Sequence, residues 1–116
     1  MNIESFQTHC LSKKGVTEEF PFGEEVLVYK VLGKMFALTS LDSEIFRISL
    51  KCDPELAIQL REEYEGVQPG FHLNKKHWNT VTIDGSIKDN LIRDWIDHSY
   101  HLVLGSLPRR FRDTLM

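Results

Sequence analysis

Residues 69–81, PGFHLNKKHWNTV, gather much of the chain's reactive chemistry in one stretch. Two histidines, two adjacent lysines, two asparagines and a tryptophan stand between a Pro-Gly turn and a strand-like tail. An indole offers a stacking face, ammonium groups neutralise phosphate, and a carboxamide pairs with base edges. Taken together, these types suit a nucleic acid or another anion. Taken singly, each also has an ordinary structural use. Tryptophan packs in cores and over sheet edges, Lys75-Lys76 suits a solvated turn, and Asn74 and Asn79 satisfy backbone groups at turns. The functional reading therefore depends on these residues sharing one surface.

Strand parity decides whether they do. In SEIFRISLKC (43–52), Phe46, Ile48 and Leu50 alternate with Arg47, Ser49 and Lys51. In HWNTVTI (77–83), Val81 and Ile83 fall on one side, and Trp78, Thr80 and Thr82 on the other. If the apolar sets face helices, then Arg47, Lys51 and Trp78 lie on the opposite surface, with His72, Asn74, Lys75 and Lys76 at its edge. Lys30 and Lys34, either side of Gly33, add a basic wing tip. These nine residues are the candidate nucleic-acid-binding set, and the functional reading requires Trp78 to be exposed among the cations, although packing is the commoner use of a tryptophan. A one-residue register slip would scatter them.

The elements that must carry this surface are readable. Asn2 caps a helix over residues 3–13, which ends near Gly15. TEEFPFG reads as a loop. EVLVYKVL (25–32) and KMFALTSL (34–41) flank Gly33 as a hairpin, and the 43–52 strand follows. Asp53 and Pro54 open a helix over 53–64, striped by Leu56, Ala57, Leu60 and Tyr64. After the 77–83 strand, Ser86 is expected to cap a last helix. Ile87, Leu91, Ile92, Trp95, Ile96, Ser99, Tyr100 and Val103 line one face of it. The order α-β-β-β-α-β-α reads as an α+β two-layer sandwich: a largely antiparallel sheet with helices on one face.

Size and composition bound the remainder. The chain has 116 residues, 41% apolar and 27% charged, which suits one globular domain over residues 1–116. No apolar run approaches the ~18 residues of a membrane span, and the first residues lack the pattern of a signal peptide. Cys10 and Cys52 have no metal-type spacing and read as reduced thiols of a cytoplasmic protein. The net charge of −3 and pI near 5.9 oppose a global electrostatic attraction for nucleic acid. Charge is uneven, however. Residues 18–25 hold four glutamates, while the tail RRFRDTLM holds three arginines and one acid. Arg109, Arg110 and Arg112 could pin the C-terminal segment, extend a basic patch or remain solvated.

No Gly-x-Ser-x-Gly, phosphate-cradling glycine loop or His-Glu-x-x-His is present. His98 and His101, three apart, supply two metal ligands at best. The expectation is a non-enzymatic, monomeric binding module without cofactor or resident metal. Its partner would be DNA or another nucleic acid, with a protein or small ligand as the alternative.

Four stretches in succession, FPFGEE…YKVLGKMFAL, LKCDPELAIQLREEY, VQPGFHLNKKHWNTV and DGSI…LIRDWIDHSYHLVLGSLPR, resemble the MmcQ/YjbR-like family over roughly residues 5–110. The resemblance implies a frataxin-like or double-wing fold, a sheet with helices on one side. It also implies DNA binding, by analogy of fold with the double-wing domain of a phage transcription activator. It implies no catalytic residues. Frataxin-like folds can bind iron through acidic residues, but the first helix here carries only Glu4 as an acid.

Overall fold

The computed structural model describes residues 1–115, leaving Met116 of the expected 1–116 domain outside the described residues. Helix α1 (Ile3–Leu11) is followed by strands β1 (Val16–Glu19), β2 (Val26–Val31), β3 (Lys34–Ser40) and β4 (Arg47–Lys51). Helix α2 (Pro54–Glu63), strands β5 (Val67–Pro69) and β6 (Trp78–Thr82), and helices α3 (Asp89–Gly105) and α4 (Arg109–Arg112) complete the order. A short 3-10 turn, Asp113–Leu115, ends it. The strands form one antiparallel sheet in the order β1-β2-β3-β4-β6-β5. The α+β class and the helix-backed sheet match the reading from the sequence.

Local chemistry explains most boundaries. The Asn2 carboxamide accepts the Ser5 N–H at 2.8 Å, and the Ser5 hydroxyl returns the favour to the Asn2 backbone, closing a capping box on α1. The Asp53 carboxylate accepts the N–H groups of Glu55 and Leu56, and Pro54 occupies the first turn of α2. The hairpin between β2 and β3 turns at Leu32 and Gly33, both at positive φ. A register shift at Tyr29/Lys30 inserts one extra residue into β3, so that Phe36 and Ala37 both enter the core.

Antiparallel partners share a face, and two cross-strand rows define the two sides. Leu27, Thr39, Ile48, Val81 and Val67 form one row, facing the helices. Phe6 and Cys10 of α1, Ala57 and Leu60 of α2, and Ile92, Ile96, Tyr100 and Val103 of α3 close over that side. The neighbouring row, Val28, Leu38, Ser49, Thr80 and Gln68, faces away. Polar atoms in the core are satisfied. The Ser99 hydroxyl donates to the Phe36 carbonyl at 2.5 Å and accepts the Lys51 N–H at 2.9 Å, pinning α3 to β3 and β4.

Three boundaries differ from the sequence expectation. Within TEEFPFG, read as a loop, TEE belongs to an edge strand because β2 supplies partners to residues 16–19, and only FPFG remains a connection. Residues 67–69 likewise become an edge strand against β6. Ser86 does not cap α3. The Asp84 carboxylate captures the Ser86 N–H at 3.0 Å, the chain bends there, and the helix opens only at Asp89, behind Lys88.

A candidate ligand groove on the helix-free face

The parity argument holds: Arg47, Ser49 and Lys51 pair across β4 and β6 with Thr82, Thr80 and Trp78, all on the side away from the helices. The exposure that the nucleic-acid reading requires of Trp78 is not met, since its residue surface is only 7% accessible. The cause is the segment following β5. Gly70 donates its N–H to the Trp78 carbonyl at 2.8 Å, and a Cβ placed on Gly70 would lie 2.7 Å from the Trp78 Cβ. Only a residue without a side chain lets the backbone pass so close. The Phe71 N–H then donates to the Thr80 hydroxyl at 2.9 Å, and that hydroxyl is 2.8 Å from the Ser49 hydroxyl. Residues 70–73 thus fold back over the sheet and cover its β6 half.

That fold-back reassigns the residues read as phosphate and base contacts. The Asn74 carboxamide oxygen accepts the N–H groups of Lys76 and His77 at 2.9 and 3.3 Å, so it builds the turn rather than facing outward to a base. The Lys75 ammonium donates to the Gly70 carbonyl at 2.7 Å, so it braces the loop rather than standing ready for phosphate. The loop is held from the helix layer too. Arg61 of α2 donates to the Asn79 carboxamide at 2.7 Å and to the carbonyls of Lys75 and Trp78. Lys30 pairs with Glu19 at 3.3 Å across β1 and β2, which draws its charge to the sheet edge. Lys34 and Lys76 are exposed, and Lys51 is half-buried. His98 accepts the Asp53 N–H through Nε2, and His101 packs edge-on against Tyr100, so this pair stabilises helices instead of converging.

What the fold-back leaves open is a groove of about 380 Å³ over β3 and β4. Its walls are mostly apolar: Phe22 from the β1–β2 connection, Val26 and Leu38 from the hairpin, Ile45 before β4, and Phe71 and Leu73 from the fold-back. Arg47 and His72 join four hydroxyl residues, Thr39, Ser40, Ser43 and Ser49, as its polar members, and of the candidate set only Arg47 and His72 line it. The Arg47 guanidinium lies 5.4 Å from the Phe71 ring centre, within cation–π range, and the residue is half-buried. His72 holds a positive φ of 60°, a conformation uncommon for residues other than glycine. Phe22 is 65% exposed, an unusual position for a phenyl ring on a surface otherwise rich in charge.

Two carboxyls lie outside the groove's lining. Glu25 and Asp42 meet beside Ser40 and Val26 at the base of the hairpin. The Ser40 hydroxyl donates to Asp42 at 2.5 Å and holds its carboxyl low, while the hydrogen bond and charge of Asp42 raise Glu25. The two thiols lie elsewhere, in the core. Burial pushes Cys10 up to about 12 and Cys52 up to about 11, so both stay protonated and unreactive.

The apolar members of this groove were missed in the sequence. Phe22 and Phe71 do carry a signal there: each sits next to a turn residue or one removed from it, outside any amphipathic stripe, where a core role is not available.

A family profile described as YjbR matches residues 11–102. The chain is 34% identical to the uncharacterized protein YjbR of Escherichia coli K12, covering 100% of this chain and 98% of that protein. It is 40% identical to the uncharacterized protein YbdF of Escherichia coli O157:H7, covering 78% of this chain and 75% of that one. Among solved structures, a Deinococcus radiodurans protein with the family-model domain DUF419 superposes with a TM-score of 0.92 at 38% identity, covering 98% of this chain and 87% of that one. A Pseudomonas syringae protein superposes with a TM-score of 0.76 at 28% identity, covering 88% and 98% of the two chains.

Proposed function

The chain belongs to the YjbR family, and on that premise we propose that it is a non-enzymatic binding module whose site is the groove on the helix-free face. The ligand class is a small molecule with a planar or apolar body and an anionic end. The single observation that carries this reading is the composition of the groove: a concave, largely apolar surface with one cation, Arg47, stacked against Phe71. Its volume is in the range of ligand pockets, about 300–1,000 Å³, and such pockets pair apolar walls with a few placed polar groups. A non-catalytic role is supported by the engagement of the Ser49 hydroxyl with Thr80 rather than with a base.

A second reading, binding of a nucleic-acid strand, is favoured by one observation. Phe22 and Phe71 are exposed aromatic rings beside Arg47, and stacking of a base on such a ring contributes about 1–3 kcal/mol. A base followed by its phosphate is also a planar body with an anionic end. In this reading Lys34, Lys51 and Lys76 would contribute charge from the periphery.

Titration with anilinonaphthalene sulfonate, a fused aromatic body carrying a sulfonate, tests the first reading. One saturable site per chain is expected. Phe22→Ser and Arg47→Gln should each weaken it several-fold, and Phe22→Ser should leave folding stability within about 0.5 kcal/mol, as befits an exposed position. Equal affinity in both variants would overturn the assignment. A labelled single strand at low salt tests the second reading. Displacement of the probe by the strand supports it, and absence of binding at low salt removes it, since the phosphate contribution is greatest there.

A further inference from the structure

Two arginines of the tail, Arg109 and Arg112, meet the end of α1 away from the groove. A second cavity, of about 630 Å³, lies between the C-terminal ends of α1 and α3 and the tail. Lys13, Lys14, His101, Arg109 and Arg112 line it, with Asp113 as the single carboxylate. The tail is fixed there by Leu115, whose methyl groups sit so close to Gly15 that an added Cβ would be 2.7 Å away. Gly15 also holds a φ of 75°, so this docking suits glycine twice over.

The charges in this cavity are unevenly satisfied. Lys13 is engaged, with its ammonium 2.5 Å from Asp97 and 5.3 Å from the Tyr100 ring centre. Arg109 is loosely held, 3.9 Å from Asp113, with 86% of its side chain exposed. Lys14 gives its carbonyl to the Tyr100 hydroxyl at 2.5 Å, which fixes the backbone from which its ammonium extends. The Nε of Arg112 is buried and, among the described residues, has no hydrogen-bond partner. A buried guanidinium N–H without an acceptor is costly, and such groups in native proteins are met by a protein atom, water or an ion.

We propose that this cavity is a binding site for a phosphate-type oxyanion, either inorganic phosphate or the phosphate of a small monoester. A tetrahedral anion presents several acceptors and no obligatory donor. It suits a planar guanidinium fork and nearby ammonium groups. The site is independent of the groove, on the other side of the molecule's sheet. The negative ends of the α1 and α3 dipoles offer a rival account: they point toward the same cations and would suffice to place them there.

Phosphorus NMR titration and thermal unfolding separate the two accounts. Inorganic phosphate and glycerol 1-phosphate are added at constant ionic strength, with chloride as the reference salt. Saturable binding is expected, with a rise in Tm that chloride does not reproduce. Arg112→Gln and Lys14→Gln should each weaken phosphate about tenfold, the loss of one charge-assisted hydrogen bond. The relative affinities of the two probes then distinguish a free anion from an ester. No saturable effect beyond chloride, or unchanged affinity in Lys14→Gln, would overturn the proposal. So would a loss of stability in the variants that is the same with and without phosphate. If Arg112→Gln does not fold, the exposed Lys14→Gln carries the decision alone.

Discussion

The two faces of one sheet solve different problems with the same alternating strands. Toward the helices, Leu27, Tyr29, Phe36, Ile48 and Val81 meet the stripes of α1, α2 and α3 and are sealed from water. Away from the helices, no such layer exists. A single fold-back loop covers the β6 half, and the β3–β4 half is left as an apolar groove. The covered face is packed for stability and leaves no room for a guest. The other face keeps exposed rings and one stacked guanidinium. A sheet with helices on one side thus keeps its open apolar surface on the side that folding leaves incomplete.

The sharpest test of that division is removal of a core ring. Phe36 is fully buried and packs edge-to-face on Tyr100, with ring centres 5.5 Å apart. Phe36→Ala should cost about 3–5 kcal/mol in urea unfolding, through lost burial and the cavity left behind. A loss near zero would mean that the helix-covered face is not the main source of stability. A smaller effect is expected at Gly70. Adding a methyl forces backbone and Trp78 apart, so Gly70→Ala should cost about 1–3 kcal/mol by overpacking and shift Phe71 out of the groove wall. Near-UV circular dichroism and probe affinity should change together; stability falling without any change in affinity would detach the fold-back from the groove.

The smallest effect belongs to the outer surface of the helix layer, where Asp97 of α3 joins Lys13 at 2.5 Å and His9 at 2.7 Å. Burial alone would raise its carboxyl, but the hydrogen bonds and charges of Lys13 and His9 outweigh that and hold it below the usual carboxylate range. A depressed carboxyl contributes stability above its unfolded pKa and loses it as pH falls through the folded value. Asp97→Asn should therefore cost less than about 1 kcal/mol near neutrality, given the partial exposure of the pair. The difference from the parent should shrink as pH falls below the unfolded carboxylate value of about 3.9 and vanish once pH is also below the folded value. A difference that persists there would point to packing rather than charge.

What was legible in the sequence follows from how local each signal is. Asp53-Pro54 announces α2 by itself, and the alternation in residues 46–51 fixes which side of β4 is dry. From these, the side occupied by Arg47 and Trp78 follows without coordinates. The strands β1 and β5 were not legible, because four and three residues at a sheet edge are defined by their partners rather than by their own pattern. The Ser86 cap was a local expectation overridden by another local bond, from Asp84. The groove was the least legible part. Its apolar wall comes from five separate loops and strands, and the contact that covers Trp78 joins Gly70 to a residue eight positions later through space, not through periodicity.

The placement of the two indoles has a practical result. Trp78 lies under the fold-back beside the groove, whereas Trp95 packs against Tyr64 in the helix layer, with ring centres 5.3 Å apart. Each side of the molecule therefore contains its own native fluorophore. Replacing either one by phenylalanine turns the intrinsic emission into a one-sided reporter. Ligand arrival on one layer and loosening of the other could then be followed separately, without attaching a dye.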